Sequence, residues 1–126
     1  MSSPLPESEI FVFGSNEAGI HGAGAAYHAH RHYGAEWGKG IGRTGNAYGI
    51  PTKDLNIQTL PLHKINEYVL DFLEYAEAHP ELKFYVTRIG CGLAGYKNED
   101  IAPMFEDAPS NCRLEEDWKE VIKNLK

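Results

Sequence analysis

A glycine-rich stretch with the sequence RIGCGLAGY occupies residues 88–96 and directly follows a run of strand-forming residues. Glycine reaches positive φ and lets the backbone approach a ligand closely, so that successive amide N–H groups can converge on an anion. The Asn-Glu-Asp sequence at residues 98–100 is a plausible helix start, whose dipole favours negative charge nearby. Residues 90–96, called the second loop below, are therefore predicted to bind a phosphate.

An earlier glycine-rich stretch, residues 14–26, follows the apolar run at residues 10–13 and is called the first loop. Loops at the carboxyl ends of strands form the ligand crevice of an open α/β sheet, so the two loops are predicted to hold one phosphorylated molecule from both sides. Two named phosphate motifs are disfavoured. A dinucleotide fingerprint read from Gly22 would need a glycine in place of Tyr27, and the chain contains no Gly-Lys-Ser/Thr.

Three side chains near these loops have the chemistry of catalysis or polar recognition. Lys53 could act as a nucleophile if its pKa were lowered, or it could simply pair with solvent or Asp54. Asn16 offers both a donor and an acceptor to the hydroxyl group of a ligand, and asparagine is equally common in turns. His21 could serve as a general base, although an exposed loop histidine is the favoured interpretation.

The remaining candidates are predicted to have structural roles. On a helix only His28 and His32 share a face, with no carboxylate or cysteine at ligand spacing, so no metal site is predicted. Cys91 is predicted to fill a tight turn rather than act as a nucleophile. Tyr27 and Tyr33 are predicted to pack on a helix, and Tyr96 is assigned equally to core packing and to stacking on a ligand.

The charge of the chain favours a small anionic ligand. Its 126 residues carry a net charge of −6, which argues against a protein that coats nucleic acid. Residues 21–53 nevertheless contain Arg31, Lys39, Arg43 and Lys53 against the single acid Glu36, a net charge of 4 − 1 = +3. This local excess fits a small anion, or else an unevenly charged solvated surface.

The sequence also predicts a cytoplasmic protein. No run approaches the roughly 20 apolar residues of a membrane span, and residues 1–6 lack the charged and apolar regions of a signal peptide. Cys91 and Cys112 are too few for a disulfide framework, so both are expected to be reduced thiols.

Strand and helix patterns alternate along the chain after an exposed lead-in at residues 1–9. This order predicts a single domain over residues 10–126, an α/β sandwich of three layers around a mixed, largely parallel sheet. Residues 36–46 are glycine-rich and are predicted to form a long functional loop. Strands are predicted at residues 10–13, 48–51, 82–89 and 111–114, and helices at residues 25–33, 62–79, 98–108 and 115–125.

These motifs together resemble the macro domain family of ADP-ribose-binding modules. The sequence RIGCGLAG at residues 88–95 is similar to the second ligand loop of the branch that contains terminal ADP-ribose protein glycohydrolase. Asn16 and residues 22–26 resemble the family's first loop, and residues 48–53, YGIPTK, resemble the strand of that branch that ends in Thr-Lys. The three matches occur in the family's order.

The resemblance implies a macro-domain-like fold that binds ADP-ribose or an ADP-ribosylated macromolecule, with no cofactor and no metal. It implies that Lys53, Asn16 and His21 are the candidate catalytic residues. The implied ligand-binding residues are Asn16, Gly22, Ala23, Gly24, Ala25, Ala26, Thr52, Ile89, Gly90, Cys91, Gly92, Leu93, Ala94, Gly95 and Tyr96.

Two departures from the family pattern keep alternatives open. The chain has no Gly-Asp-Ile-like turn upstream of the first loop, where many macro domains carry the aspartate that binds adenine. Ala94 stands where the glycohydrolase branch has the aspartate that works with its lysine. Binding of ADP-ribose is therefore the first prediction. Hydrolysis of an ADP-ribosyl bond or of ADP-ribose-1″-phosphate is the alternative, and a degenerate protein-interaction module is the second alternative.

Overall fold

The computed structural model describes residues 9–125, which form a five-stranded sheet with helices on both faces. Residues 1–8 of the predicted lead-in lie outside the described residues, and Glu9 already belongs to the first strand. In chain order the elements are β1 (Glu9–Asn16), α1 (Gly24–His32), β2 (Gly42–Thr44), β3 (Ala47–Lys53), α2 (Leu62–Ala78), β4 (Lys83–Val86), α3 (Asn98–Ile101), a 3-10 helix (Ala102–Phe105), β5 (Cys112–Leu114) and α4 (Glu116–Lys123).

The strands lie in the order β2-β3-β1-β4-β5. β1 pairs in parallel with β3 and with β4, β4 pairs in parallel with β5, and only β2 runs antiparallel to its neighbour. The predicted α/β sandwich with a mixed, largely parallel sheet is therefore confirmed. Because β3, β1, β4 and β5 point the same way, the loops that follow all four strands emerge at one edge of the sheet.

Alternation along β1 divides the interior into two cores. Ile10 and Val12 face the larger core beneath α2, α3 and α4, whereas Phe11 and Phe13 face the smaller core beneath α1. Side chains alternate between the two faces of a strand, so an unbroken apolar run is what a strand covered on both sides requires. Burial of this run fixes β1 at the centre of the three layers.

Several element boundaries differ from the prediction. The predicted loop at residues 36–46 contains β2, which pairs antiparallel with β3. β3 continues through Pro51, which lies beyond the end of β2, where the missing N–H costs no ladder bond. β4 ends at Val86 rather than at residue 89 because the chain turns out of the sheet towards the second loop. The predicted helix at residues 98–108 is one turn of α-helix and a 3-10 helix that contains Pro103.

The helices follow the predicted apolar pattern closely. Ile65, Val69, Phe72 and Ala76 are buried along α2, and Gly34 has a φ of 78° directly after α1, as expected for a glycine that ends a helix. On α4 Trp118 is fully buried, whereas Leu125, predicted to share its packed face, is 50% exposed. Among residues 9–125, no helix combines the length and the apolar character needed to cross a bilayer.

Candidate functional site

A cavity of about 550 Å³ opens at the edge of the sheet where the four parallel strands end. Its wall contains most of the residues for which ligand contact was predicted, drawn from β1, β3 and both glycine-rich loops. The predicted residues that line it are Asn16, Gly22, Ala23, Gly24, Ala25, Ala26, Thr52, Lys53, Ile89, Gly90, Cys91, Gly92, Leu93 and Ala94. Three predicted site residues, His21, Gly95 and Tyr96, are not part of this wall.

The first loop presents unpaired amides to this cavity. Within residues 9–125, the N–H groups of Gly24, Ala25 and Ala26, at the start of α1, have no hydrogen-bond acceptor, and no side chain caps this helix end. The first turn of α1 also contains no acidic residue. An uncapped helix N-terminus combines free N–H groups with a positive dipole end, which favours a bound anion.

The second loop contributes further unpaired amides to the residues that line the same cavity. It closes on itself through bonds from Gly95 N–H to the Gly92 carbonyl, at 3.0 Å, and from Tyr96 N–H to the Gly90 carbonyl, at 2.8 Å. The N–H groups of Gly92, Leu93 and Ala94 find no acceptor in the described chain. Gly90 has a φ of 77°, which a side chain would strain, so glycine is needed for the loop to leave the sheet here.

The two loops meet across the mouth of the cavity. A Cβ built on Gly24 would lie 3.3 Å from Cδ1 of Leu93, so the leucine packs directly over the glycine. Leu93 is nevertheless 71% exposed. The two loops are therefore in contact where both line the cavity.

Asn16 has the turn role that was one of its two predicted alternatives. Its Oδ1 accepts from the N–H of Ile20 at 2.9 Å, and its Nδ2 donates to the carbonyl of Ile20 at 2.8 Å. The amide therefore holds residues 16–20 in a closed turn. One N–H and one acceptor lone pair of the side chain are left for a ligand, because a primary amide can make four hydrogen bonds.

His21 is fully buried, so the prediction of an exposed loop histidine is wrong. Its Nε2 lies 2.8 Å from the carbonyl oxygen of Glu36 and 3.2 Å from that of Lys39, so Nε2 must carry the proton that both acceptors need. Its Nδ1 is buried and has no partner within the described chain. The ring ties residues 36–39 to the first loop, and His21 is not part of the cavity wall, where the resemblance made it a candidate catalytic residue.

Aromatic rings surround His21 and explain its burial. Phe13 and Trp37 pack edge-on against the imidazole with centroids 5.6 and 6.0 Å away, and His30 also contacts Trp37, at 5.5 Å. Trp37 itself is 56% exposed and lies beside Gly22 at the cavity wall. The segment at residues 36–39 thus folds over the first loop and buries the histidine.

Two basic side chains line the cavity. Lys53 ends β3 and is half-buried, and its amino group forms no hydrogen bond or ion pair with another described residue. Arg88 also lines the cavity, although it was not among the predicted site residues. Its Nη1 lies 3.6 Å from Oδ2 of Asp117 and donates to Oδ1 of Asn98 at 3.4 Å. The cavity therefore combines unpaired amides with positive charge.

Other residues of the wall became apparent only from the structure. The connection after β3 contributes Ile57, the only residue other than glycine with positive φ among residues 9–125. Glu115, between β5 and α4, is the one carboxylate in this wall. Glu115 reaches the wall because β5 lies beside β4 in the sheet, and no local sequence signal indicates this position. The cavity residues missing from the prediction are Gly14, Ser15, Ile20, Ile57, Thr87, Arg88 and Glu115.

The structure favours a structural role for both Tyr96 and Cys91. The Tyr96 hydroxyl donates to the carbonyl of Leu60 at 2.6 Å and its ring packs on the larger core, which favours core packing over stacking on a ligand. Burial raises the pKa of the Cys91 thiol, so the thiol is not activated as a nucleophile. Both cysteines are free thiols, as expected.

The tyrosines and histidines of α1 divide between core and surface. Tyr33 stacks on Phe11 with centroids 4.5 Å apart, as predicted. Tyr27 is 47% exposed, so its predicted packing is wrong. The His28 and His32 rings do share a face, with centroids 4.7 Å apart, and residues 9–125 contain no cluster of three metal-ligating side chains.

A scan of protein-family models, a search of curated proteins and a search of solved structures each return no match for this chain. The likeness to macro domains therefore rests on the three sequence motifs.

Proposed function

We propose that the protein binds ADP-ribose or a close derivative such as ADP-ribose-1″-phosphate. One observation carries the proposal: residues with unpaired amides from both loops line one cavity, at the carboxyl ends of parallel strands. A diphosphate is the ligand group that fits such a cradle, because its oxygens accept many hydrogen bonds and carry negative charge. The volume of about 550 Å³ is that of a small-molecule site.

The charges around the cavity support an anionic ligand. Lys53 supplies an unpaired positive charge, Arg88 supplies one that Asp117 partly offsets, and the uncapped N-terminus of α1 contributes to the wall of the same cavity. The resemblance assigns the Lys53 and Asn16 end to the distal ribose. The free N–H and lone pair of Asn16 suit a ribose hydroxyl, which donates and accepts.

Calorimetry with ADP-ribose tests this proposal, and Ala25→Asp is the sharpest variant. An aspartate in the first turn of α1 should maintain or raise helix stability, since acidic residues are favourable there. It should also repel the diphosphate and lower affinity at least about tenfold, a factor that equals roughly 1.4 kcal/mol. Ala25→Asn is the control of equal size without the charge, and it should bind nearly as the native protein does.

Two outcomes would overturn the proposal. The first is the absence of heat when millimolar ADP-ribose is added to the native protein, which would favour a protein-interaction module. The second is binding by Ala25→Asp that equals binding by Ala25→Asn, because the phosphate would then lie away from the start of α1.

Hydrolysis of an ADP-ribosyl bond is the second candidate function, favoured by the unpaired amino group of Lys53 at the cavity wall. The backbone of Thr59 forms an isolated antiparallel β-bridge with the backbone of Lys53. The Thr59 hydroxyl donates to the carbonyl of Ala94 at 3.2 Å. Position 94 is thus two contacts away from the lysine. A carboxylate introduced by Ala94→Asp would enter this neighbourhood and could move the protons that hydrolysis requires.

Assays on ADP-ribosylated protein, ADP-ribosylated nucleic acid and ADP-ribose-1″-phosphate distinguish binder from enzyme. If the native protein turns over one substrate, Lys53→Ala should abolish the turnover. If the native protein is inactive, a gain of activity in Ala94→Asp that disappears on adding Lys53→Ala shows that only the carboxylate was missing. Leu93→Asp places the same charge one residue away and is the matched control. Native turnover that persists in Lys53→Ala excludes the lysine mechanism.

A further inference from the structure

The four parallel strands divide the cavity into a middle and two ends. The middle strands β1 and β4 lead into the two glycine-rich loops, whereas the outer strands β3 and β5 lead to Lys53 and Glu115. Three strand spacings separate β3 from β5, about 14 Å. The cavity thus has an amide-lined centre, a basic side chain at one end and an acidic side chain at the other.

The carboxylate of Glu115 is largely uncommitted. Glu115 is the N-cap residue of α4, and its side chain makes no capping hydrogen bond. Its only side-chain hydrogen bond with a described residue is a long one of 3.4 Å, donated by the Tyr85 hydroxyl to Oε2. Half-buried in the cavity wall, the carboxylate has acceptor sites left for a ligand.

The Glu115 carboxylate and a bound diphosphate are both negatively charged, so they repel each other within one cavity. The carboxylate must therefore face an uncharged part of the ligand that donates hydrogen bonds. In ADP-ribose the diphosphate is central and is flanked by the adenosine and the distal ribose. With the diphosphate at β1 and β4 and the distal ribose at Lys53, the adenosine extends towards β5. The adenine amino group is its donor on the base edge.

Resting on the proposed function, we infer that Glu115 accepts a hydrogen bond from the adenine amino group and determines which base the site takes. A hydrogen bond with one charged partner contributes about 1.5–3 kcal/mol. Affinity for ADP-ribose should therefore fall at least about tenfold in Glu115→Ala. Glu116→Ala removes the next carboxylate, whose side chain is 89% exposed, and should bind as the native protein does.

The test pairs this variant with an ADP-ribose analogue whose purine lacks the amino group. The native protein should bind the analogue about as weakly as Glu115→Ala binds ADP-ribose. Glu115→Ala itself should not distinguish the two ligands. A merely structural role of Glu115 would weaken both ligands alike and preserve the native preference, which would overturn the inference. If the native protein binds no ADP-ribose at all, the proposed function fails first; if it binds and Glu115→Ala binds equally well, only this inference fails.

Discussion

The first glycine-rich loop is packed into the protein, whereas the second projects from it. A Cβ on Gly19 would overlap the backbone of Gly38, and a Cβ on Gly40 would overlap the carbonyl oxygen of Asn16. By contrast, a Cβ on Gly92 or Gly95 would meet nothing within 4 Å. Glycine thus allows close approach of two backbones in the first loop, whereas at Gly92 it leaves the amide open to a ligand.

Side-chain anchors reinforce this difference. The first loop is held by the Asn16 amide, by the His21 imidazole and by the Ser15 hydroxyl, which donates to the Gly40 carbonyl. The second loop has a single side-chain anchor between its ends, from Thr59 to the carbonyl of Ala94. The first loop is therefore expected to be a rigid wall of the cavity and the second to adapt to what enters it.

Replacement of glycine by alanine should give the largest difference in stability between the two loops. Gly40→Ala should destabilise the protein by about 3 kcal/mol or more, because two backbone segments must separate to accommodate the methyl group. Gly92→Ala should change the unfolding free energy by less than about 0.5 kcal/mol. Urea unfolding measures both. Equal losses would mean that the loops do not differ in packing.

His21→Phe should cost about 2–3 kcal/mol. Phenylalanine keeps the ring between Phe13 and Trp37 but leaves the carbonyls of Glu36 and Lys39 without their donor. His63→Phe, on the exposed side of α2, is the control and should stay within about 0.5 kcal/mol of the native protein. A loss no larger than the control's would show that the imidazole does not anchor residues 36–39.

Asn16→Ala should destabilise the fold by about 1–2 kcal/mol through loss of the two bonds to Ile20. The half-buried Asn66 makes no side-chain hydrogen bond with a described residue, so Asn66→Ala is the matched control. If Asn16→Ala also weakens ADP-ribose binding without loss of stability, the amide acts on the ligand and not on the turn.

Tyr68→Phe should have the smallest effect, about 1 kcal/mol at neutral pH, because the Tyr68 hydroxyl anchors the first loop by donating to Glu17. Burial first, and then Glu17, raise the pKa of Tyr68 to about 12 from 10.0. Between pH 10 and 12 the unfolded chain loses this proton while the folded chain keeps it, so native stability should fall over that range.

The Tyr68→Phe variant should lose less stability than the native protein as the pH rises, because it lacks the Tyr68 hydroxyl. Urea unfolding at pH 9 and pH 11 would measure this difference. Burial raises the pKa of Tyr48 to about 12 as well, so the phenolate absorbance of the native protein should show one more high-pKa tyrosine than that of the variant. Parallel pH profiles for the two proteins would contradict the assignment.

The sequence predicted every element except the short strand β2, and most of the cavity wall, because these depend on local patterns. The apolar run of β1, the repeat along α2 and the glycines at residues 90–95 each indicate their structure within a few residues. In an α/β fold such patterns are enough to place loops at one edge of the sheet.

The features that were missed depend on contacts between distant residues. The burial of His21 requires residues 36–39 to fold back over it, and the flanking glycines alone suggested exposure. Glu115 reaches the cavity only because β5 lies beside β4, a neighbour relation that no local pattern encodes. Asn16 makes both of its side-chain bonds to the backbone of Ile20, and a backbone partner leaves no signal in the sequence that would separate a turn residue from a ligand residue.

The two tryptophans differ as sharply in environment as the two loops do. Trp37 is 56% exposed beside Gly22 in the first loop, whereas Trp118 is fully buried in the larger core. Their fluorescence should therefore separate into a red-shifted emission that quenchers can reach and a blue-shifted emission that they cannot. The protein thus has one intrinsic reporter next to the cavity and another for global unfolding, and a titration can follow both without a label.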